Sequence, residues 1–167
     1  SKMKTGDMSF NLQKVPLAEC CQKALDSIRQ SVREGVALTF NPAPEQVIIK
    51  TDAMRLQQLL TNLLANAIKF TEKGEINLAY SLEADRKQVR ITVTDTGTGV
   101  PPEIQEEIFK RLKKQDDSRA GTGLGLPICY YIAEHLSGPG KIFLDTSYTA
   151  GARFVFIHPC ETDVPVI

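Results

Sequence analysis

Two asparagine side chains, Asn62 and Asn66, lie four residues apart in a segment with helical periodicity. Side chains at positions i and i+4 of a helix point in the same direction, so both amides are expected to face one ligand. Asparagine is a mediocre helix former, and a solvated face would more naturally carry Glu, Lys or Gln. Amide oxygens suit Mg²⁺, which is held by one or two side chains together with waters and substrate phosphates. Lys69, one turn further on, can contact those phosphates as a point charge.

The helix that carries these asparagines has an apolar stripe and recognisable ends. Thr51 or Asp52 is placed to cap its start, and Lys73-Gly74 is expected to end it. The apolar positions follow the i, i+3, i+4 rule and are Leu56, Leu59, Leu60, Leu63, Leu64 and Ala67. The opposite polar face, with both asparagines and Lys69, is the candidate binding face. For any one of these residues, an ordinary solvated face is the alternative.

A second group of candidate residues, Asp95-Thr96-Gly97-Thr98-Gly99, directly follows an apolar strand pattern over Val89–Thr94. The carboxylate of Asp95 would therefore stand at a strand end and could accept a hydrogen bond. Gly97 and Gly99 suit a tight turn. Taken alone, this pattern is more typical of ordinary turns, because Asp and Gly are common there.

A third group, Gly121-Thr122-Gly123-Leu124-Gly125, opens a predicted helix. Exposed amide groups and the positive end of a helix dipole form an anion site, so polyphosphate is a suitable ligand. A dinucleotide-binding fold would require a strand immediately before these glycines. The preceding segment, Lys110–Ala120, is not a strand pattern, so that fold is disfavoured.

These three motifs, in this order, resemble the N box and the two glycine boxes of the ATP-binding domain of sensor histidine kinases. That family is a branch of the GHKL superfamily, which also contains the gyrase-type ATPases. The resemblance covers nearly everything from Phe10 to about Pro159, and it implies ATP and Mg²⁺ as cofactors. By this resemblance Asn66 ligates Mg²⁺, Lys69 contacts phosphate and Phe70 lies beside the adenine. Asp95 would accept a hydrogen bond from the adenine amine.

The resemblance also assigns roles to the remaining motif residues. Gly97 and Gly99 would let the backbone approach the base, and the phosphates would be held by Gly121, Thr122, Gly123, Leu124 and Gly125. The segment 108–120 resembles the F box and ATP lid of the family, in which a basic side chain often contacts phosphate. Here Arg111, Lys113 or Lys114 must supply that charge, and Arg111 and Lys114 are predicted to be catalytic. A solvated loop is the alternative for these charges.

Asn62 bears on the type of reaction. Gyrase-type relatives usually carry a glutamate at this position that activates water, whereas histidine kinases commonly carry asparagine. An amide cannot serve as a general base. We therefore predict phosphoryl transfer to a protein, with Asn62 as a catalytic residue and as a possible second Mg²⁺ ligand.

The expected fold is α+β, a two-layer α/β sandwich of the Bergerat type. Its sheet should be mixed and mainly antiparallel, with the helices on one face. Helices are expected at Leu17–Val36, ended by Gly35, and over the N box, with another after the third motif. The expected strands are Met8–Val15, Val36–Phe40 and Gln46–Ile49 around a turn, Glu75–Ala84 and Gln88–Thr94, and Lys141–Asp145 and Ala152–His158.

The 167 residues are the size of one domain, with 20 basic and 20 acidic residues. This balance indicates no nucleic-acid partner. The four cysteines show no spacing typical of a zinc site, so reduced thiols in the cytoplasm are expected. No apolar run has the length of a spanning helix. The parent protein could still be anchored in the inner membrane.

By the resemblance, residues 1–9 form the tail of a dimerisation helix or linker, 10–159 the ATP-binding domain and 160–167 a C-terminal tail. Neither His135 nor His158 lies in a segment like the family's phosphoacceptor box. The γ-phosphoryl group would therefore go to a histidine on a dimerisation domain absent from this chain, and later to a response regulator receiver domain. The fragment is expected to be a monomer and the parent a homodimer. The alternatives are a GHKL-type serine kinase, a GHKL-type ATPase and a degenerate nucleotide-binding module.

Overall fold

The computed structural model describes residues 9–105, 108 and 126–160. The strands are β1 (Gln13–Pro16), β2 (Val36–Asn41), β3 (Ile48–Thr51), β4 (Gly74–Leu82), β5 (Gln88–Asp95), β6 (Ile142–Leu144) and β7 (Ala152–Pro159). The helices are α1 (Leu17–Ile28), α2 (Ala53–Phe70) and α3 (Leu126–Ser137), with a 3-10 turn at Arg29–Ser31. Residues 102–105 are also helical. Within the described ranges, no helix combines the length and apolarity needed to cross a membrane.

The main sheet has five strands in the order β2-β4-β5-β7-β6. The β2 and β4 strands are parallel, and all the other neighbours are antiparallel. The β1 and β3 strands form a separate two-stranded antiparallel sheet. These pairings confirm the predicted α+β class with a mixed, mainly antiparallel sheet.

One face of the main sheet packs against the helices. In β5 the side chains of Val89, Ile91 and Val93 are buried, while Arg90 and Thr92 between them are half-buried on the other face. This alternation follows from the two-residue period of a strand. The buried side chains of β4, β5 and β7 share one core with those of all three helices. The predicted placement of the helices on one face is therefore confirmed.

The first strand and first helix are shorter than predicted. The strand begins at Gln13 because its partner β3 offers only four residues for pairing, and the N–H of Asn11 instead donates to the Asp52 carboxylate. The α1 helix ends at Ile28 rather than near Val36. Residues 29–34 offer only Val32 to the core, so little packing energy would support further turns.

The β2 and β3 strands do not form the pair around a turn that the sequence indicated. The β2 strand pairs with β4, starting at Val36 opposite Gly74, and β3 pairs with β1, ending at Pro16 opposite Ile48. The connection between β2 and β3 contains two prolines, which lack the N–H groups that a hairpin ladder uses. Each strand therefore pairs with a partner elsewhere in the chain.

The α2 helix begins as predicted and ends earlier. The Asp52 carboxylate accepts a hydrogen bond from the Arg55 N–H at 3.1 Å, which confirms Asp52 as the cap. At the other end, Thr71 is already extended and its N–H donates to the Ile68 carbonyl. The helix therefore stops at Phe70, and Gly74 with its positive φ begins β4 instead of ending α2.

The four cysteine side chains are buried and free. Burial raises the pKa of Cys20 to about 11 and that of Cys129 to about 12, and it also raises the pKa values of Cys21 and Cys160. The thiolate is the reactive form of cysteine, so these thiols are poor nucleophiles in the folded domain. They act as small packing residues.

Candidate functional site

A cavity of about 570 Å³, counting the part open to solvent, lies between the C-terminal half of α2 and the adjoining ends of β5 and β7. Most of its wall is apolar, and two polar side chains reach it. The lining residues are Leu63, Asn66, Ala67, Phe70, Val93, Asp95, Gly99, Val100, Pro101, Ile104, Ile108, Ala152 and Phe154.

Asp95 is the carboxylate of this cavity, and it is 5% exposed. Its Oδ1 accepts hydrogen bonds from the N–H groups of Gly97 at 2.8 Å and Ala152 at 3.3 Å. Burial raises the pKa of Asp95, and the hydrogen bonds from the N–H groups of Gly97 and Ala152 oppose that rise. Both backbone donors use Oδ1, so Oδ2 has no backbone donor among the described residues. This second oxygen can accept a hydrogen bond from a ligand.

The turn after Asp95 needs glycine because the backbone segments approach closely. A Cβ on Gly97 would overlap the carbonyl oxygen of Phe70, which accepts a hydrogen bond from the Thr98 N–H at 3.2 Å. Gly99 has a φ of 76°, a conformation that favours glycine. Gly97 thus allows the close contact with the end of α2, while the approach of both glycines to the base stays a prediction.

Asn66 lies on the wall of the cavity, as its predicted role requires. Asn66 is 8% exposed, and its buried Nδ2 finds no hydrogen-bond partner within the described part of the chain. A buried amide without a partner is uncommon and indicates a group kept for a ligand. The two ends of an asparagine amide exchange by rotation, so the same position can present Oδ1. An amide oxygen here fits the ligand set of Mg²⁺.

Asn62 and Asn66 lie one turn apart on α2 but have different neighbours. Asn62 is half-buried and is not among the residues that line the cavity. It lies instead against Cys129 at the start of α3. Burial raises the pKa of the Cys129 thiol to about 12, and a hydrogen bond with the Asn62 side chain opposes this rise. Of the two amides, only Asn66 is among the described residues that line this cavity, and the expectation that both amides face one ligand stays a prediction.

The two residues at the end of α2, Lys69 and Phe70, are both exposed, but only Phe70 is among the residues that line the cavity. Phe70 is 37% exposed and lines the cavity, as expected of a residue beside a bound base. Lys69 is exposed, and its ammonium lies 5.6 Å from the centroid of the Phe70 ring. Lys69 forms no ion pair with the other residues that the structure describes, so its charge is available near the cavity mouth.

The remaining predicted site residues lie outside the described residues. These are Arg111, Lys113, Lys114, Gly121, Thr122, Gly123, Leu124 and Gly125. The helix predicted to follow the third motif is present, since α3 begins at Leu126.

Sequence reasoning predicted the strand Ala152–His158 but missed that its start forms part of the site. A Cβ on Gly151 would overlap the carbonyl oxygen of Asp95, and Ala152 donates to the Asp95 carboxylate. The Tyr148 hydroxyl also donates to the Asp95 carbonyl at 3.1 Å. Two adjacent small residues before a strand were the only signal in the sequence. That signal becomes informative only once β7 is known to pair with β5.

The family model described as "Histidine kinase-, DNA gyrase B-, and HSP90-like ATPase" matches residues 51–162. The chain belongs to this family. It is 35% identical to "Two-component system protein A" of Emericella nidulans over an alignment that covers 83% of the chain. It is 32% identical to "Adaptive-response sensory kinase SasA" of Rippkaea orientalis, with 95% of the chain covered. It spans only 22% and 41% of the lengths of these two relatives.

The structural comparison agrees with the family assignment. The nucleotide-free catalytic domain of histidine kinase ThkA matches with a TM-score of 0.71 and 28% identity, covering 91% of this chain and 96% of that one. The chain is thus an ATP-binding catalytic domain of the sensor histidine kinase type, which confirms the predicted family and fold. The roles of individual side chains in this histidine kinase domain stay predictions.

Proposed function

We propose that this histidine kinase domain binds Mg-ATP with the adenine in the apolar cavity against Asp95, and donates the γ-phosphoryl group to a histidine of a dimerisation domain. One observation carries the proposal: at the cavity wall, a buried carboxylate has one oxygen held by two backbone N–H groups, and its other oxygen has no backbone donor among the described residues. A flat base can stack between apolar walls while its edge reaches that oxygen.

The carboxylate favours adenine over guanine. The exocyclic amine of adenine is a donor, whereas guanine carries a carbonyl oxygen at the corresponding ring position. Two acceptors facing each other in a buried site would leave the Asp95 oxygen unpaired, and a buried charged group without a partner is costly. Discrimination of this kind is strong because it depends on an unpaired polar group and not on shape alone.

Asn66 is the described residue proposed to hold Mg²⁺, since its unpartnered amide reaches the cavity. Asn62 is a possible second ligand. When bound, Mg²⁺ would neutralise charge on the phosphates. Lys69 adds a positive charge at the cavity mouth. We further propose that the phosphates are bound by Gly121, Thr122, Gly123, Leu124 and Gly125. Arg111 and Lys114 are proposed as catalytic residues that act on the γ-phosphoryl group.

Transfer is favoured over hydrolysis by the chemistry of Asn62. Its amide has no basic lone pair with which to remove a proton from water. It also contacts Cys129 and is not among the described residues that line the apolar cavity. Positioning and charge neutralisation suffice for phosphoryl transfer, so a side chain that orients the reactants without acting as a base is consistent with a kinase.

The parent protein is proposed to supply what this chain lacks. The domain boundaries predicted above, 1–9, 10–159 and 160–167, fit a catalytic domain that follows a dimerisation helix. A homodimeric parent would bring the phosphoacceptor histidine to the bound ATP, and a receiver domain would take the phosphoryl group afterwards. The isolated chain is proposed to be monomeric and cytoplasmic, with no nucleic-acid partner.

The test is calorimetric titration of the chain with a non-hydrolysable ATP analogue, in Mg²⁺ and in EDTA, beside the matching GTP analogue. Mg-dependent binding selective for adenine is expected. Asp95→Asn should reduce the adenine preference by about tenfold or more, because a hydrogen bond to a charged group contributes about 1.5–3 kcal/mol. Asp85→Asn is the matched control, since Asp85 is an exposed carboxylate in the β4–β5 turn.

Two results would contradict the proposal. Absence of binding by the unsubstituted chain would favour a degenerate module. Steady hydrolysis of ATP by the chain alone would favour a gyrase-like ATPase.

A further inference from the structure

The N-terminal segment Ser9–Leu12 crosses one end of the helix pair α2 and α3, and we call it the clasp. The Phe10 ring stacks on the His135 imidazole of α3, with ring centroids 4.8 Å apart and planes 4° from parallel. It also lies 6.5 Å from the Tyr131 ring. The Arg55 guanidinium of α2 lies 5.8 Å from the centroid of the same ring. One aromatic side chain therefore bridges two helices.

The backbone of the clasp is tied to the same place. The Asn11 N–H donates to Oδ2 of Asp52 at 2.8 Å, while Oδ1 of Asp52 accepts from the Arg55 N–H and caps α2. Asp52 is 8% exposed, so this shared carboxylate is largely removed from water. Hydrogen bonds to a charged acceptor are the stronger ones. The clasp is thus held by an aromatic contact and a charge-assisted hydrogen bond.

The clasp and the cavity lie at opposite ends of the helix pair. The Cys129 thiol contacts the Leu59 carbonyl at 3.7 Å. From this contact, α2 runs back to Arg55 while α3 runs on to His135, so the two helices are antiparallel. In the other direction α2 leads to Asn66, and α3 leads back to its first residue. Arg55 and Asn66 are separated by roughly 16 Å along the helix axis.

We propose that Phe10 is a positioning residue for nucleotide binding. Held between Arg55 and His135, it fixes the spacing of one end of the helix pair, and the close-packed contact at Cys129 transmits that spacing to the end where Asn66 faces the cavity. Packed helices move as rigid bodies because a protein interior has little free volume. The inference rests on the proposed function, since it concerns the same ATP site.

A reciprocal effect must accompany this coupling. If a docked clasp increases the affinity for nucleotide, then bound nucleotide must favour the docked clasp by the same factor. The Asn11 N–H reports docking directly, because its acceptor is the Asp52 carboxylate. If Phe10 only packed against the surface of the domain, bound nucleotide would not favour the docked clasp and would not protect the Asn11 N–H.

The experiment compares Phe10→Ala with Phe40→Ala. Phe40 is also a partly buried phenylalanine, but it lies on β2 with its ring 6.2 Å from Tyr80, away from the clasp. Affinity for a non-hydrolysable Mg-ATP analogue is measured by calorimetry at a temperature where circular dichroism shows every variant folded. Phe10→Ala should weaken binding by about fivefold or more, within the usual range of coupling between sites. Phe40→Ala should leave the affinity unchanged even if it lowers the Tm. Phe10→Tyr keeps an aromatic ring and should bind the analogue with the affinity of the unsubstituted chain.

Amide exchange of Asn11 provides the second readout. Saturating analogue should slow its exchange in the unsubstituted chain by the same factor that Phe10→Ala costs in affinity. The proposal is overturned if Phe10→Ala binds like the unsubstituted chain, if Phe40→Ala weakens binding equally, or if nucleotide leaves Asn11 exchange unchanged. Failure of the unsubstituted chain to bind would overturn the proposed function as well, whereas the other outcomes leave it intact.

Discussion

Replacement of Asn66 by alanine should stabilise the ligand-free domain and at the same time remove its Mg-dependent binding of nucleotide. The two effects have opposite signs because the amide is proposed to serve a ligand and not the fold. Its Nδ2 is buried and has no hydrogen-bond partner among the residues that the structure describes. An ordinary packing residue would show the reverse pattern, with lost stability and retained binding.

The size of the stabilisation follows from three contributions. A buried donor without a partner costs about 1–3 kcal/mol, and alanine removes that cost. Alanine also has a helix propensity better by roughly 0.5 kcal/mol than that of asparagine. The lost side-chain contacts oppose these gains, but the truncated atoms line a cavity that is already open. We expect a net gain of about 1 kcal/mol, which corresponds to a rise in Tm of roughly 2 to 4 °C.

The assay is thermal unfolding of Asn66→Ala and of the unsubstituted chain, each alone, with the ATP analogue and Mg²⁺, and with the analogue and EDTA. The unsubstituted chain should show a Mg-dependent rise in Tm, because a ligand that binds only the folded state stabilises it. The variant should start from a higher Tm and show no such rise. Gln57→Ala is the control, since it removes a half-buried amide elsewhere on α2.

Either of two outcomes would contradict the proposed role of Asn66. If Asn66→Ala lowers the Tm of the ligand-free domain, its amide contributes to the fold. If the variant keeps the full Mg-dependent rise in Tm, Asn66 is not the metal ligand.

Three further predictions concern the turn after β5 and the buried histidine. Gly97→Ala should lower the free energy of unfolding by about 2–4 kcal/mol, measured by urea denaturation, because its Cβ displaces the Phe70 carbonyl and breaks the hydrogen bonds of Thr98 and of Asp95 in this turn. Because burial raises the pKa of Asp95 above 3.8, the stability that it contributes is complete below that pH and is lost as pH rises through the raised value. Asp95→Asn should therefore raise the Tm of the ligand-free domain at neutral pH, and a gain that persists below the ordinary pKa would contradict this. Burial lowers the pKa of His158 below 6.5, although the backbone carbonyl of Pro159 opposes the shift, so its contribution is present above pH 6.5 and lost as pH falls through the lowered value. In His158→Gln, the urea midpoint should therefore fall less steeply as the pH decreases below 6.5. An unchanged slope would exclude His158 as the source of this loss of stability.

Local features were predictable from the sequence because neighbouring residues determine them. The start of α2 at Asp52 follows from a capping side chain three residues before the N–H that it accepts from. The inward positions of β5 follow from alternation along one strand. Asp95 and Asn66 were identified by the resemblance of the three ordered motifs, and for Asn66 also because asparagine is uncommon in the middle of a helix. Their burial in one cavity is consistent with that interpretation.

The sequence by itself thus determined the family and the order of the elements, and it predicted a chemistry for the candidate site. Only the tertiary structure decided that β2 pairs with β4, and that Asn62 lies against Cys129 while Asn66 reaches the cavity. It also placed Ala152 beside the Asp95 carboxylate, although the two residues are 57 positions apart. The physical reason is that sheet pairing and helix packing join segments that are distant in the sequence. Which segments pair depends on the total apolar surface that the whole fold buries, and no local sequence pattern specifies that total.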